Sequence, residues 1–258
     1  MRNIPTFVDT IGTLCRGYLP KVFQARGWVL VSLIAIPFIV AQLVMLFDGA
    51  PNPEQIALVL YHQGYAAAML PIIAMVSAPA CISEDLEQRT LPLILVRPAP
   101  AWALPIGKGL LWFVWCSIWL VTIVSLMPLV GLELASVPQK ILALVLVLWA
   151  QLGFVSLLVI LFKQGVLWSC LIFFIWDPLI GSLPETLQRF TFTHYLHSLA
   201  GSQYSTGNTI DLLAQTQIRS PIWLSVVVLF AIGLLTWGLC GLKLLHTPIG
   251  LAGRESEG

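Results

Sequence analysis

Charged side chains are scarce in this sequence, and their scarcity decides its class. Asp, Glu, Lys and Arg make up 10% of the 258 residues, whereas soluble domains typically have about 25%. Hydrophobic residues make up 58%, and the mean hydropathy is +0.91. A net charge of +1 leaves no broad basic surface, so nucleic acid is excluded as an expected partner. The composition predicts an all-α, polytopic membrane protein.

Sequence motifs for metal, phosphate and catalysis are missing as well. The five cysteines are odd in number and lack C-x-x-C or Cys/His ligand spacing, which argues against a disulfide framework and a zinc site. There is no Gly-x-x-x-x-Gly-Lys-Ser/Thr motif, because Lys108 lacks the earlier glycine, and there is no Gly-x-Ser-x-Gly or His-Glu-x-x-His. We therefore expect no enzyme activity, metal site or ATP site within this chain.

Six apolar runs are long enough to cross a hydrocarbon layer of about 30 Å, which takes about 20 residues. They are Trp28–Phe47, Ile56–Ile82, Gly109–Val130, Ile141–Phe162, Val166–Leu183 and Ile222–Leu242. The whole chain, residues 1–258, is therefore predicted to form one domain with six transmembrane helices.

Three segments outside these runs are predicted to lie at the membrane surfaces. Residues 1–27 repeat apolar side chains every three or four positions, which is typical of an amphipathic interfacial helix, with a kink or end near Pro20. Residues 184–221 are too apolar for a free loop, so we expect short helices in the outer leaflet before the last span. Residues 83–108 are charged and rich in proline.

The positions of the basic residues predict the orientation. Of the 13 Lys and Arg residues, Lys140, Arg189 and Arg219 lie on one side of the predicted spans, and the others share the side of the two termini. The positive-inside bias places both termini, and with them residues 83–108, in the cytoplasm.

Residues 83–108 begin with the pattern of a helix. Ser83 is a candidate N-cap, because carboxylates follow it in the first turn, where the helix dipole favours negative charge. These are Glu84, Asp85 and Glu87. Bulky aliphatic residues come next, among them Leu91 and Leu93, before a turn at Arg97. A solvated hairpin needs no such row of aliphatic side chains, so we expect a partner protein to cover it.

The order Glu-Asp-Leu-Glu-Gln-Arg-Thr-Leu-Pro from Glu84, with Gly107-Lys108 at the next span, resembles the segment after the second helix of ABC-2 type permeases. These permeases are the membrane subunits of many bacterial ABC exporters. Gln88 to Leu91 stand where that family more often has a glycine-containing triplet. The N-terminal helix, the six spans and the outer helices resemble the family in architecture.

This resemblance implies a coupling helix that sits in a groove of a separate cytoplasmic ABC ATPase. The implied contacts are Glu84, Asp85, Glu87, Arg89, Leu91 and Leu93, with a smaller contact at Lys163. ATP and Mg²⁺ would be bound by the ATPase, so no cofactor is expected in this chain. The other implied partners are a second permease copy or a paralogue, and membrane lipid. The implied location is the bacterial inner membrane, and the substrate is an unidentified hydrophobic or amphipathic molecule.

A few polar residues within apolar surroundings are candidate functional groups. Asp177 is the only Asp, Glu, Lys or Arg inside a predicted span, so it either lines a translocation path or caps a helix break at Pro178. His62 is interpreted as an interfacial residue. His194 and His197 form a His-x-x-His pair for which the sequence places no third metal ligand.

Two other functional classes stay open at this point. An ion-coupled secondary transporter would normally need several ionisable groups within the membrane. A membrane scaffold or assembly subunit would need no transport path. A stoichiometric ATPase in the purified complex distinguishes the exporter from both.

Overall fold

The computed structural model describes residues 12, 16–20, 22–48, 53–87, 103–181, 185–201 and 220–246. These ranges are almost wholly helical and contain no strand. For the described part of the chain, the predicted all-α fold is therefore confirmed.

The helices of the described ranges are numbered in chain order. They are α1 (Ala25–Asp48), α2 (Pro53–Val59), a first π-helix (Leu60–Met69), α3 (Leu70–Glu87), α4 (Ala103–Leu126), α5 (Val137–Leu161), α6 (Gly165–Leu171), a second π-helix (Ile172–Trp176), α7 (Asp177–Gly181), α8 (Glu185–Gln188), α9 (Phe192–Ala200) and α10 (Ile222–His246). Two short 3₁₀ turns, Met127–Val130 and Leu134–Ser136, connect α4 to α5.

Five helical stretches of the described residues are long and apolar enough to cross a membrane. They are Ala25–Leu46, Pro53–Ala80, Ile106–Val130, Leu134–Leu161 and Ile222–Leu244. Each overlaps one of the predicted runs, which confirms a membrane protein with several spanning helices.

The predicted sixth span, Val166–Leu183, is not confirmed as a full-length span. It corresponds to a shorter apolar stretch, Gly165–Ile180. Within it, the π-helix interrupts the regular α-helical pattern, and Asp177 and Pro178 then bring a carboxylate and a proline close to the helix end. The predicted count of six spans is therefore not confirmed, since the described residues contain five helices of sufficient length and this shorter one.

The expected interfacial helix over residues 1–27 falls largely outside the described residues. Residues 16–20 are helical, and a turn at Phe23 and Gln24 precedes α1. This turn lies three residues after Pro20, and the interfacial helix itself stays a prediction.

The predicted N-cap at Ser83 is wrong, because Ser83 lies inside α3, which continues to Glu87. Extending an existing helix by a turn is easier than nucleating a new one. The rest of the predicted coupling region, residues 88–102, lies outside the described residues, as do the side chains at 84–87. The unplaced contact residues are Glu84, Asp85, Glu87, Arg89, Leu91 and Leu93.

Helix α5 occupies the centre of the bundle. It contacts α3, α4, α6, α9 and α10. In Leu134–Leu161, 61% of the most apolar stretch is buried inside the protein, against 17% for Ala25–Leu46. These five helices are therefore positioned chiefly by how they pack on α5.

Helices α5 and α10 pack together through glycines that leave space for tryptophan rings. A β-carbon on Gly233 of α10 would overlap the Trp149 ring of α5, and one on Gly153 of α5 would crowd Trp237 of α10. The centroids of the Trp149 and Trp237 rings lie 6.0 Å apart. Small residues allow helix backbones to approach closely in a membrane, where packing drives helix association.

We expect Gly233→Ala to lower the free energy of unfolding by about 1–3 kcal/mol, because the added methyl group would displace the Trp149 ring. Thermal unfolding of the purified protein in detergent measures the effect. Gly238→Ala in the same helix is the matched control, since a β-carbon at Gly238 meets no atom within 4 Å. Equal melting temperatures for the two variants would contradict this packing.

Candidate functional site

A cavity of about 200 Å³, lined mainly by apolar surface with several polar side chains, lies between the first π-helix, α5 and α9. Small and apolar residues form part of its wall, and polar side chains from all three helices form the rest. The polar side chains are His62 and Gln63 from the π-helix, Gln151 from α5, and Thr193 and His197 from α9. Each helix contributes residues four positions apart, which places them on one helix face.

Two buried tyrosines fix the π-helix that forms one wall. The Tyr61 hydroxyl donates to the backbone carbonyl of Lys140 at 3.0 Å, and the Tyr65 hydroxyl donates to that of Ile34 at 2.8 Å. Both side chains are fully buried. The tyrosines attach this helix to α5 and α1, which leaves the neighbouring face, with His62, directed toward the cavity. Helices of π type are rare and often occur at functional sites.

The second wall, α9, is held at its N-terminus by a complete set of hydrogen bonds. The Thr191 hydroxyl accepts from the backbone N–H of His194 at 3.2 Å. The Asp177 carboxylate accepts from the Thr193 hydroxyl at 2.5 Å, and from the backbone N–H groups of Phe192 and Thr193. The N–H groups at the start of α9, which have no acceptor within the helix, thus obtain acceptors from elsewhere.

Asp177 is therefore part of the support of the cavity. Its side chain is 8% exposed, and it is not among the described residues that line the cavity. Its negative charge lies at the positive end of the α9 dipole. The carboxylate thus caps α9, and not the helix break at Pro178. Thr193, which lines the cavity, lies between Asp177 and the cavity, so a role for Asp177 in a translocation path stays a prediction.

The two histidines of the His-x-x-His pair have different neighbours. His194 Nε2 lies 3.0 Å from the Ser220 hydroxyl. His197 stacks on His62, with ring centroids 4.9 Å apart and planes inclined by 20°. His62 is 5% exposed and lines the cavity, whereas its interpretation as a residue at the membrane interface stays a prediction. Among the described residues, no three His, Cys, Asp or Glu side chains form a group that could hold a metal ion.

Gln151 is a candidate functional residue that the sequence reading missed. It lies near the middle of α5, its side chain is 3% exposed, and its Oε1 atom has no hydrogen-bond partner in the described part of the chain. A buried polar atom without a partner costs about 1–3 kcal/mol. The available signal was a single carboxamide within the apolar run Ile141–Phe162.

Lys163 is the described residue that is expected to contact the ATPase, and it lies at the end of α5 opposite to Lys140. Lys163 is exposed in the short turn between α5 and α6. A second cavity, of about 260 Å³, is lined by Arg26, Ala80 and Lys108, among others. Ala80 marks the end of the second apolar stretch, and Lys108 lies near the start of the third. We call this side of the bundle the Lys108 end.

We expect Asp177→Ala to destabilise the protein by about 1–3 kcal/mol, because N–H groups at the buried start of α9 would lose their acceptor. Asp177→Asn keeps one carbonyl oxygen and should lose less. Thermal unfolding in detergent measures both variants. Glu54→Ala, an exposed carboxylate in the first turn of α2, is the control and should change stability by less than about 0.5 kcal/mol. If Asp177→Ala were as stable as the control, Asp177 would not support α9.

Comparison with known proteins gives no relative for this chain. No protein-family model, no curated protein and no solved structure matches it. The functional assignment must therefore come from the residues and the geometry described above.

Proposed function

We propose that this chain is the membrane-spanning permease subunit of an ATP-driven ABC exporter. A separate ATPase subunit would hydrolyse ATP, and this chain would use that energy to move a hydrophobic or amphipathic substrate across the membrane. The observation that carries the proposal is the cavity between the first π-helix, α5 and α9, which polar side chains of all three helices help to line. Polar side chains inside a membrane bundle are costly and commonly mark a substrate path.

The position of the cavity suits a path that opens to one side. Gln151 lies near the middle of α5, whereas His62 and His197 lie toward the end of the bundle that holds Lys140. Polar groups therefore extend from the middle of the central helix toward one surface. An exporter needs such a path on the side to which it releases its substrate.

The coupling to ATP is supported by the second membrane helix and the segment that follows it. The apolar stretch ends at Ala80, but α3 continues as a helix to Glu87. Seven further residues at about 1.5 Å each extend the helix by roughly 10 Å. This extension carries three carboxylates into the segment that resembles the coupling region of ABC-2 permeases. It supports a contact with a separate protein at the Lys108 end, where Lys163 is also exposed.

In this proposal the Lys108 end faces the cytoplasm of a bacterium, because most Lys and Arg residues fall on that side. The chain would work with a second permease copy or a paralogue, and with two ATPase subunits. Closure of the ATPases would move the helices as rigid bodies between two states.

We expect Glu84→Lys and Leu91→Asp to reduce ATP-driven transport by about tenfold or more, because each alters a contact that transmits force from the ATPase. Membrane insertion should be unchanged. The measurement is ATP hydrolysis and substrate flux in liposomes that contain the complex purified from its native membrane. Glu54→Lys, the same charge change at the opposite end, is the matched control.

Two results would contradict the exporter assignment. The first is purification of the active protein without a stoichiometric ATPase, which is the result expected for an ion-coupled transporter or a scaffold. The second is full transport by Glu84→Lys and Leu91→Asp, which would leave the segment without a coupling role.

A further inference from the structure

We infer that the cavity between the first π-helix, α5 and α9 binds an uncharged, hydroxyl-rich group, such as a sugar or polyol. The inference names a substrate class for the proposed exporter, and its meaning for transport rests on that proposed function. Binding itself needs neither ATP nor a partner, so it can be tested separately.

The polar wall consists of groups that can both donate and accept hydrogen bonds. Gln63 and Gln151 each carry a carbonyl oxygen and an NH₂ group, and a neutral histidine ring carries one donor and one acceptor. The Thr193 hydroxyl donates to Asp177 and keeps oxygen lone pairs that can accept. A ligand that matches such a wall also needs donors and acceptors close together. Hydroxyl groups have both on one atom.

The charge of the wall disfavours an ionic ligand. The described residues that line the cavity include no Asp, Glu, Lys or Arg. Two charged groups lie near the cavity without lining it. The Asp177 carboxylate is already occupied by the N-terminus of α9. The Lys140 ammonium, which interacts electrostatically with His62, donates to the Ser136 hydroxyl. A phosphate or carboxylate would therefore find no fixed cation in this wall, and an ammonium group would find no carboxylate. Burying either charge without a partner is costly, whereas a neutral hydroxyl loses much less on leaving water.

Among the lining residues, Gln151 gives the strongest argument for a bound ligand. Its side chain lines the cavity, is 3% exposed, and leaves Oε1 without a partner among the described residues. Rotation about the last side-chain bond can present either the oxygen or the NH₂ group to the cavity. A bound hydroxyl would supply the missing hydrogen bond in either orientation.

The size of the cavity limits the ligand to one small group. The cavity volume is about 200 Å³. This is below the roughly 300 Å³ at which pockets for drug-sized molecules begin. A single sugar ring or polyol fits this limit, and Phe192 and Leu196 provide an apolar surface for its C–H groups. Any acyl chain attached to it would lie outside the cavity.

The test measures binding to the purified full-length chain in detergent, without ATP. The probes are monoglucosyl diacylglycerol, methyl β-glucoside, phosphatidylglycerol, and diacylglycerol with the same acyl chains. Native mass spectrometry and ligand-induced thermal stabilisation give the relative Kd values. We expect a glucosyl probe to bind at least about tenfold more tightly than phosphatidylglycerol, which brings a phosphate charge beside its glycerol hydroxyls, or diacylglycerol, which offers a single hydroxyl. Binding of methyl β-glucoside would indicate a free sugar, and binding of the glucosyl lipid alone a lipid headgroup.

The variants test whether binding occurs in this cavity. Gln151→Leu should weaken glucosyl binding by about tenfold, because it removes both hydrogen-bonding groups. Gln63→Leu, at an exposed position, should also weaken binding and serves as the second variant if Gln151→Leu does not fold. Ser156→Ala is the matched control, since Ser156 is also a buried polar residue of α5 without a partner in the described part, but does not line the cavity.

The inference is overturned if the four probes bind equally, if phosphatidylglycerol binds most tightly, or if the folded glutamine variants bind like the wild type. These results are independent of the exporter proposal. If the chain binds the glucosyl probe selectively but has no ATPase partner, the binding site is supported and the exporter proposal is rejected. If ATP drives transport but no glucosyl probe binds, the exporter proposal is supported and the sugar site is rejected.

Discussion

The packing of α5 is the interaction on which the rest of the described structure depends. In a bilayer, helices gain little from leaving lipid for one another, so close contact between backbones must hold them together. Gly153 and Gly233 permit that contact because they have no β-carbon, which leaves space for the Trp237 and Trp149 rings. Once α5 is fixed, its first turns position two further elements. The backbone carbonyl of Lys140 accepts a hydrogen bond from the Tyr61 hydroxyl of the first π-helix. The Gln139 side chain donates to the Leu199 carbonyl of α9 at 2.7 Å. The two outer walls of the cavity are therefore attached to the same helix.

The polar groups of the bundle follow one rule, which is that each needs a partner because lipid supplies none. Asp177 obtains partners from the start of α9, and α9 in turn obtains acceptors that it cannot provide for itself. Phe192 adds an apolar contact, since its ring lies 5.6 Å from that of Phe173 and 5.9 Å from that of Phe154, measured between centroids. Gln151 is one of several described side chains with a buried polar atom that has no partner within the described residues, and it also lines the cavity. This contrast between a satisfied carboxylate and an unsatisfied amide distinguishes the support of the cavity from its binding surface.

Much of the fold follows from the sequence, because a membrane imposes a simple local rule. A run of about 20 apolar residues predicts a helix wherever it occurs, and five of the six predicted runs match helices that are long enough to span. The exception, Gly165–Ile180, is the run with a carboxylate and a proline near its end. The prediction of a helix start at Ser83 failed for a related reason. A local N-cap pattern cannot show that an earlier helix has not yet ended, and α3 continues to Glu87.

The sequence by itself determined that this is a helical membrane protein, where most spans lie, and which few polar residues are out of place in apolar surroundings. Hydropathy and helical period are properties of neighbouring residues, so they need no knowledge of the fold. Only the tertiary structure decided which of those polar residues meet. His62 and His197 are separated by several helices in the chain, yet their rings stack, while His194, one turn from His197, contacts Ser220 instead. Such contacts depend on how helices that are distant in the sequence pack against α5, and no local sequence pattern predicts that packing.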